Sequence, residues 1–270
     1  MSDITVRYRY ADTPLGQLHY AEAGEGEPIV LLHQTPRSLD EFAELQPLLA
    51  GRRRVIAMDM YGFGQSAKPS APQTIEQYAA GVLALADALD LGAFAVLGHH
   101  TGMFVASEIA SSVPDRVTAA ILSAAQYADA EFRATHTDPK VDTAQTQGDG
   151  SHLLQLWASR QCLYPADRPD LLNRCIRDTL APGIDPREGH LACARYVMED
   201  RVERVTAPVL LLAATEDSVS YPHTEKVAKA YSSAQSVEVY EVEGGMIPLM
   251  ELKAPEIATV VLDFLERVGG

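Results

Sequence analysis

Short apolar runs recur along the 270-residue chain, and they predict its strands. Two segments near the start, 4–10 and 17–23, alternate between apolar and polar positions, which is typical of strands with one exposed face. Later runs cover residues 28–32, 54–58, 94–97, 117–122, 208–214 and 236–242. Most of these are apolar on both faces, as buried parallel strands are.

Segments with the helical spacing of apolar positions separate these runs, at 39–49, 74–89, 101–112 and 256–268. Alternating strands and helices predict an α/β protein with a mostly parallel central sheet flanked by helices. The alternation stops at 127–205, where helical pieces at 153–162, 171–180 and 190–198 occur without a credible strand. We therefore expect a helical insertion at 127–205 in a core formed by 1–126 and 206–270.

The charge balance of the chain argues against some classes of binding partner. Lys and Arg total 22 against 37 Asp and Glu, a net charge of −15, which opposes attraction to nucleic acid or to an anionic membrane. Three scattered cysteines and the lack of an apolar leader or spanning segment favour reduced thiols and a cytoplasmic protein. We expect a small-molecule substrate as partner, with no nucleic acid and no membrane, while assembly into a homo-oligomer stays open.

Polar motifs follow the apolar runs, at the point where each predicted strand ends. The motifs are HQTP at 33–36, DMYGFGQS at 59–66, GHHTG at 98–102, TED at 215–217 and EGGM at 243–246. Ligands of open parallel sheets bind beyond the carboxyl ends of the strands. These five segments are therefore the candidates for a functional site.

The order and spacing of these motifs resemble the α/β-hydrolase fold over nearly the whole chain. GHHTG at 98–102 resembles the GxSxG turn, which lifts its third residue above the sheet. HQTP at 33–36 resembles the HGxP oxyanion loop, and DMYGFGQS at 59–66 resembles the DxxGxGxS segment. The resemblance implies an α/β-hydrolase fold, a helical cap inserted after the sixth strand, and a catalytic triad in the order nucleophile, acid, histidine.

The triad implied by the resemblance is degenerate in this chain. Carried over residue by residue, its positions are His100, Asp217 and Met246, of which only the acid matches the family pattern. Met246 stands at the vacated position of the base, and no histidine follows it. The resemblance also implies an oxyanion hole made by the backbone amides of Thr35 and Thr101.

The imidazole of His100 extends two bonds farther from its Cα than a serine oxygen would, so we expect it to reach Asp217. One ring nitrogen would bond to the carboxylate while the other faces the substrate. This dyad favours hydrolysis of a small, fairly apolar ester, lactone or related acyl compound. Two alternatives stay open: a cofactor-free lyase, C–C bond cleaving enzyme or isomerase with His100 as general base, and a non-catalytic small-molecule-binding protein.

Other side chains are candidates for supporting roles. We expect His33, Gln34 and His99 to orient the site. Side chains of the insertion that are candidates for a cap pocket are His152, Trp157, Tyr164 and His190. Ser66 and Ser123 are hydroxyls for which the sequence shows no partner base. No ligand spacing typical of a metal site is present, and the predicted chemistry needs no cofactor.

Overall fold

A computed structural model of the protein describes residues 4–137, 142–183 and 185–269. Within these residues, eight strands form one sheet. In chain order they are β1 (Arg7–Thr13), β2 (Gly16–Ala23), β3 (Pro28–Leu32), β4 (Arg54–Met58), β5 (Phe94–His99), β6 (Val117–Ser123), β7 (Val209–Ala214) and β8 (Val237–Val242). Every strand expected from the apolar runs is present, with ends shifted by three residues or fewer.

The strands lie in the order β1-β2-β4-β3-β5-β6-β7-β8. Strands β3 to β8 run parallel to one another, and β2 runs antiparallel to both of its neighbours. The expectation of a mostly parallel sheet is therefore confirmed. The carboxyl ends of β3, β5, β7 and β8 meet at one edge of the sheet, and the polar motifs meet there with them.

Helices flank this sheet and fill its connections. They are α1 (Gln46–Leu49), α2 (Ile75–Ala88), α3 (Thr101–Ser112), α4 (Ala130–Thr135), α5 (Ser151–Arg160), α6 (Pro169–Thr179), α7 (Glu188–Arg195), α8 (Glu199–Val202), α9 (Thr224–Ala230), α10 (Leu249–Leu252) and α11 (Ala254–Val268). No helix within the described ranges combines the length and the apolar character needed to cross a bilayer.

The segment predicted as one helix at 39–49 is instead a 3-10 turn, Leu39–Phe42, followed by α1. Pro47 lies in the first turn of α1, where a missing backbone donor is tolerated. A continuous helix would need the Pro47 amide to donate to a carbonyl one turn earlier. The prediction of one helix was wrong for this reason.

Two buried clusters cover the two faces of the sheet. Along β3, Ile29 and Leu31 belong to one cluster, and Val30 and Leu32 belong to the other. Side chains of a strand point alternately to opposite faces, so a run that is apolar throughout buries both. Helices α2 and α3 pack on the second face, and α1 and α11 pack on the first.

The described residues between β6 and β7 contain α4 to α8 and no strand. We refer to these five helices as the cap. Helices α5 and α6 share a small buried cluster of their own, centred on Tyr164, Leu171 and Cys175. Residues of α7 and α8 belong instead to the same large cluster as α3. The division into a core and a cap domain at 127–205 therefore stays a prediction.

Candidate active site

A tight turn joins β5 to α3 and carries His100 at its apex. The backbone of His100 has φ 46° and ψ −111°, a region that few residues with a Cβ adopt. A Cβ on Gly98 would lie 2.0 Å from the Gly102 carbonyl oxygen, and a Cβ on Gly102 would lie 2.1 Å from the Leu32 carbonyl oxygen. Glycine is required at both positions because backbone approaches backbone there.

The turn brings His100 against Asp217, which follows β7. Nε2 of His100 lies 3.0 Å from Oδ2 of Asp217, within ion-pair distance, although its direction falls outside the angles of a hydrogen bond. A small rotation of the imidazole would change this angle and leave the two groups in contact.

The environment of Asp217 stabilises its ionised form. Its side chain is fully buried, and it accepts hydrogen bonds from the Val219 amide at 3.0 Å and from Ser220 Oγ at 2.5 Å. Burial opposes ionisation, but His100 and these donors outweigh it and hold the pKa of the carboxyl well below its usual range. A fixed negative charge therefore stands behind the imidazole.

A cavity of about 290 Å³ opens in front of His100. Five residues predicted from the sequence line it: Gln34, Thr35, His100, Thr101 and His190. Asp217 does not line it, since it lies behind the imidazole. Much of the remaining wall is apolar and comes from Phe104, Phe132, Leu163, Val219 and Ile247. A largely apolar pocket with a few polar groups is typical of a small-molecule site.

The loop after β3 forms one side of the cavity. The Thr35 amide donates a long hydrogen bond of 3.4 Å to Thr101 Oγ1. The Thr101 amide, the first of α3, donates to no acceptor among the described residues. The carboxyl group of Glu41 holds this loop from behind, because its oxygens accept from the Gln34 amide at 2.8 Å and from Gln34 Nε2 at 2.5 Å. Sequence reasoning missed Glu41, which lies in the segment 39–49, where the pattern predicts a helix and no functional role.

His33 is buried beside the same loop. The Met60 amide donates to its Nε2 at 3.0 Å, so Nδ1 carries the proton and donates to the Gln34 carbonyl at 2.8 Å. Burial lowers the pKa of His33 and keeps the ring neutral. These contacts position the loop and leave His33 outside the cavity.

His99 is also buried, and its ring lies edge-on to that of His100 with 4.7 Å between centroids. Nε2 donates to the Ile247 carbonyl at 2.9 Å, so Nδ1 accepts from Ser123 Oγ at 3.0 Å. Burial and the neighbouring His100 lower the pKa of His99 to about 3. The expectation that Ser123 has no partner base was wrong, because β5 and β6 are adjacent and bring the two side chains together. Both are fully buried and outside the cavity.

The remaining predicted residues lie away from the cavity. Met246 is half-buried, and its neighbour Ile247 lines the wall. Trp157 and Tyr164 pack in the α5–α6 cluster, and His152 accepts a hydrogen bond from the Gln147 amide at 3.2 Å. Helical spacing places a side chain on a face of its own helix, but it does not fix which face of the cap meets the core.

The cap supplies polar groups that sequence reasoning did not single out. Arg160 and His136 line the cavity beside the predicted His190. A signal for Arg160 exists: it follows the buried Leu156 by four residues and so shares its face of α5. In the described ranges, no three His, Cys, Asp or Glu side chains are grouped so that they could hold a metal ion.

Comparisons with known proteins agree with this architecture. A sequence profile of the alpha/beta hydrolase fold matches residues 27–170. A non-heme chloroperoxidase of Streptomyces lividans is 40% identical over 246 residues, covering 82% of this chain and 84% of that protein. A haloalkane dehalogenase of Agrobacterium fabrum is 39% identical over 103 residues, covering 38% of this chain and only 34% of that protein. The crystal structure of an enol-lactonase from Burkholderia xenovorans matches with a TM-score of 0.77 at 24% identity, over 96% of this chain and 100% of that one.

Proposed function

This chain belongs to the α/β-hydrolase fold family, and from that premise we propose that it hydrolyses a small ester, lactone or related acyl compound with His100 and Asp217. The observation that carries the proposal is the 3.0 Å contact between Nε2 of His100 and the buried carboxylate of Asp217, beside an apolar cavity. A titratable ring on a fixed carboxylate is the arrangement that general-base catalysis needs.

The steps follow from the roles of the two ring nitrogens. In the proposed mechanism Nε2 keeps its proton and donates it in a hydrogen bond to Asp217, so Nδ1 is the unprotonated nitrogen that acts as the base. Nδ1 removes a proton from water while the water oxygen attacks the acyl carbon. The amides of Thr35 and Thr101 donate to the resulting oxyanion, which displaces the long bond between Thr35 and the Thr101 hydroxyl. The C–O bond then breaks, and the leaving alcohol takes the proton from His100.

Substitution of His100 tests the proposal on a panel of 4-nitrophenyl esters and lactones. We expect His100→Ala to lower kcat/KM by about 10² to 10⁴, the usual contribution of a general base. His100→Ser stays equally inactive, because Met246 offers no base to a serine at the turn. Unchanged hydrolysis in both variants contradicts the proposal, as does labelling of any serine of the wild type by a fluorophosphonate probe.

The chain offers matched controls for each half of the dyad. Asp217→Asn should lower kcat/KM at least tenfold. Glu216 is an exposed neighbour with the same charge, so Glu216→Gln should leave kcat/KM unchanged. His152→Ala removes a cap imidazole that lies outside the cavity and should also leave it unchanged. Equal effects of the two acidic substitutions would argue that Asp217 has no specific role.

A second candidate is cofactor-free base chemistry on a carbonyl compound, such as elimination or isomerisation. It is favoured by the largely apolar wall of the cavity beside His100, since removal of a proton from carbon needs no water molecule at the base. This candidate predicts exchange of the proton α to a carbonyl in D₂O, followed by NMR with a ketone panel. Exchange that survives His100→Ala excludes it.

A further inference from the structure

The cap wall of the cavity carries an arginine that the proposed hydrolysis does not use. Arg160 ends α5, is only 8% exposed, and lines the same cavity as His100. Burying a guanidinium beside apolar side chains is costly unless the charge is paired. The contacts of Arg160 therefore indicate which kind of ligand this wall of the cavity binds.

Asp142 pairs with Arg160 but leaves part of the guanidinium free. Nε of Arg160 donates to Oδ1 of Asp142 at 2.6 Å, and Nη2 donates to Oδ2. Nη1 has no hydrogen-bond partner within the described ranges. An arginine has five N–H donors in a planar fork, so the edge formed by Nη1 and Nη2 is still able to bind a second carboxylate.

The carboxylate of Asp142 is shared with a second nitrogen donor. Nε2 of His190, which also lines the cavity, donates to Oδ2 of Asp142 at 2.9 Å. Burial opposes ionisation of Asp142, but the bonds from His190 and Arg160 hold the pKa of the carboxyl below its ordinary value. The carboxylate of Asp142 thus holds both Arg160 and His190 in place, and the Nη1 side of the guanidinium is left for a further anion.

The side chains that line the cavity are less acidic than the protein as a whole. Among the described residues the lining includes Arg160 and three histidines, His100, His136 and His190, and no aspartate or glutamate. The chain as a whole carries −15. An anionic molecule therefore meets less repulsion in this cavity than over the rest of the surface, and the Nη1 side of Arg160 is available to bind it.

We propose that Arg160, held in place by Asp142 and His190, binds a carboxylate, so that the substrate is a small acyl compound with a carboxylate at the end opposite its reactive carbonyl. The placement of the carbonyl at His100 rests on the proposed hydrolysis, whereas the carboxylate site itself does not. The apolar side chains between the two ends contact the hydrocarbon part of the molecule.

Two esters that differ in one charge test the proposal: 4-nitrophenyl hydrogen glutarate and its methyl ester, 4-nitrophenyl methyl glutarate. We expect the wild type to prefer the acid by about tenfold or more in kcat/KM, mainly through KM, because charge-assisted hydrogen bonds to an arginine are lost in the methyl ester. Arg160→Gln should abolish this ratio. Arg160→Lys should restore part of it, because lysine keeps the charge without the fork.

A matched control is available within the cap. Arg133 also binds a carboxylate with two nitrogens, donating to Glu199 at 2.6 and 2.8 Å, but it does not line the cavity. Arg133→Gln should keep the wild-type ratio. Should Arg160→Gln fail to fold, His190→Gln provides the second variant, with a smaller fall in the same ratio. No preference in the wild type, or a ratio unchanged in both Arg160→Gln and His190→Gln, overturns the proposal.

Binding of glutarate separates this proposal from the proposed hydrolysis. Calorimetry with His100→Ala should detect glutarate binding, and the additional substitution Arg160→Gln should weaken it about tenfold or more. Binding without turnover of either ester leaves the carboxylate site standing and refutes hydrolysis. Equal turnover of both esters without glutarate binding refutes the carboxylate site and leaves hydrolysis standing.

Discussion

His100 occupies a backbone conformation that costs about 1–3 kcal/mol for a residue with a Cβ. Its surroundings impose this conformation: its amide donates to the Ser123 carbonyl at 3.1 Å, and Gly98 packs directly against Gly102. None of these contacts involves the imidazole. The turn therefore presents whichever side chain stands at position 100, and the chemistry of the cavity changes with that single residue.

Glu41, which holds the Gln34 loop, provides a test of buried charge. Burial raises the pKa of Glu41 from 4.5 to about 8, and the similarly buried Glu251 shares Arg37 with it. The folded protein then keeps a proton that the unfolded chain releases above about pH 4.5. We expect the free energy of unfolding to fall as pH rises from about 6.5 to 8, by up to about 1.4 kcal/mol per pH unit for one proton, because the buried His33 and His99 oppose this trend only below about pH 6.5. Glu41→Gln should flatten this slope in urea unfolding series.

The exposed Glu225 serves as the control for this titration, since Glu225→Gln removes a carboxylate that is paired with Lys229 at the surface. The variant should keep the wild-type slope. A wild-type stability that stays constant or rises between about pH 6.5 and 8 would show that Glu41 is ionised in the folded protein.

The sequence predicts some of these residues and not others for a physical reason. His100 and Asp217 each follow an apolar run, so the sequence predicts that both lie at the edge of the sheet where the carboxyl ends of the strands meet. Arg37 and Glu251 are 214 positions apart and bind each other at 2.6 Å, but each lies in a segment that reads as a solvated turn or helix. Only the packing of α10 against the loop after β3 makes them a buried pair.

At the scale of elements, the unit formed by β5, the turn and α3 depends on close backbone packing. Gly102→Ala would place a Cβ 2.1 Å from the Leu32 carbonyl oxygen, so α3 must move away from β3. We expect a loss of about 3 kcal/mol or more in the free energy of unfolding, measured by chemical denaturation. Gly92→Ala is the matched control, since its Cβ would meet no heavy atom within 4 Å. Equal stability of the two variants would argue against this packing requirement.

The sequence predicts elements well where one pattern decides them. Apolar runs such as 28–32 predict strands, because a strand that is buried on both faces is apolar at every position. The segment 39–49 has helical spacing, but Pro47 lacks the backbone N–H that a continuous helix would need at that position. The segment therefore forms two short pieces despite its periodicity. The helices of the cap were predicted, but not which of their faces meets the core, since that depends on contacts between distant segments.

At the scale of the molecule, the cavity lies between two parts of the chain. His100 comes from the sheet, whereas Arg160 and His190 come from the cap. Ion pairs fasten the two parts together, including the one between Arg37 and Asp178 of α6 at 3.0 Å. The proposed chemistry consequently depends on the position of the cap relative to the sheet, as well as on the residues of the turn.

Gly189 of α7 tests this dependence, because a Cβ there would lie 1.8 Å from Thr35 Oγ1. Gly189→Ala must push α7 and the loop of Thr35 apart, which displaces an amide of the proposed oxyanion hole. We expect kcat/KM to fall at least tenfold, since misplacement by about 1 Å can cost 10²-fold. The emission of Trp157, the single tryptophan, should stay unchanged because α5 and α6 pack separately. Gly148→Ala, whose Cβ meets nothing within 4 Å, should match the wild type, and equal activity of both variants would mean that catalysis does not depend on this contact.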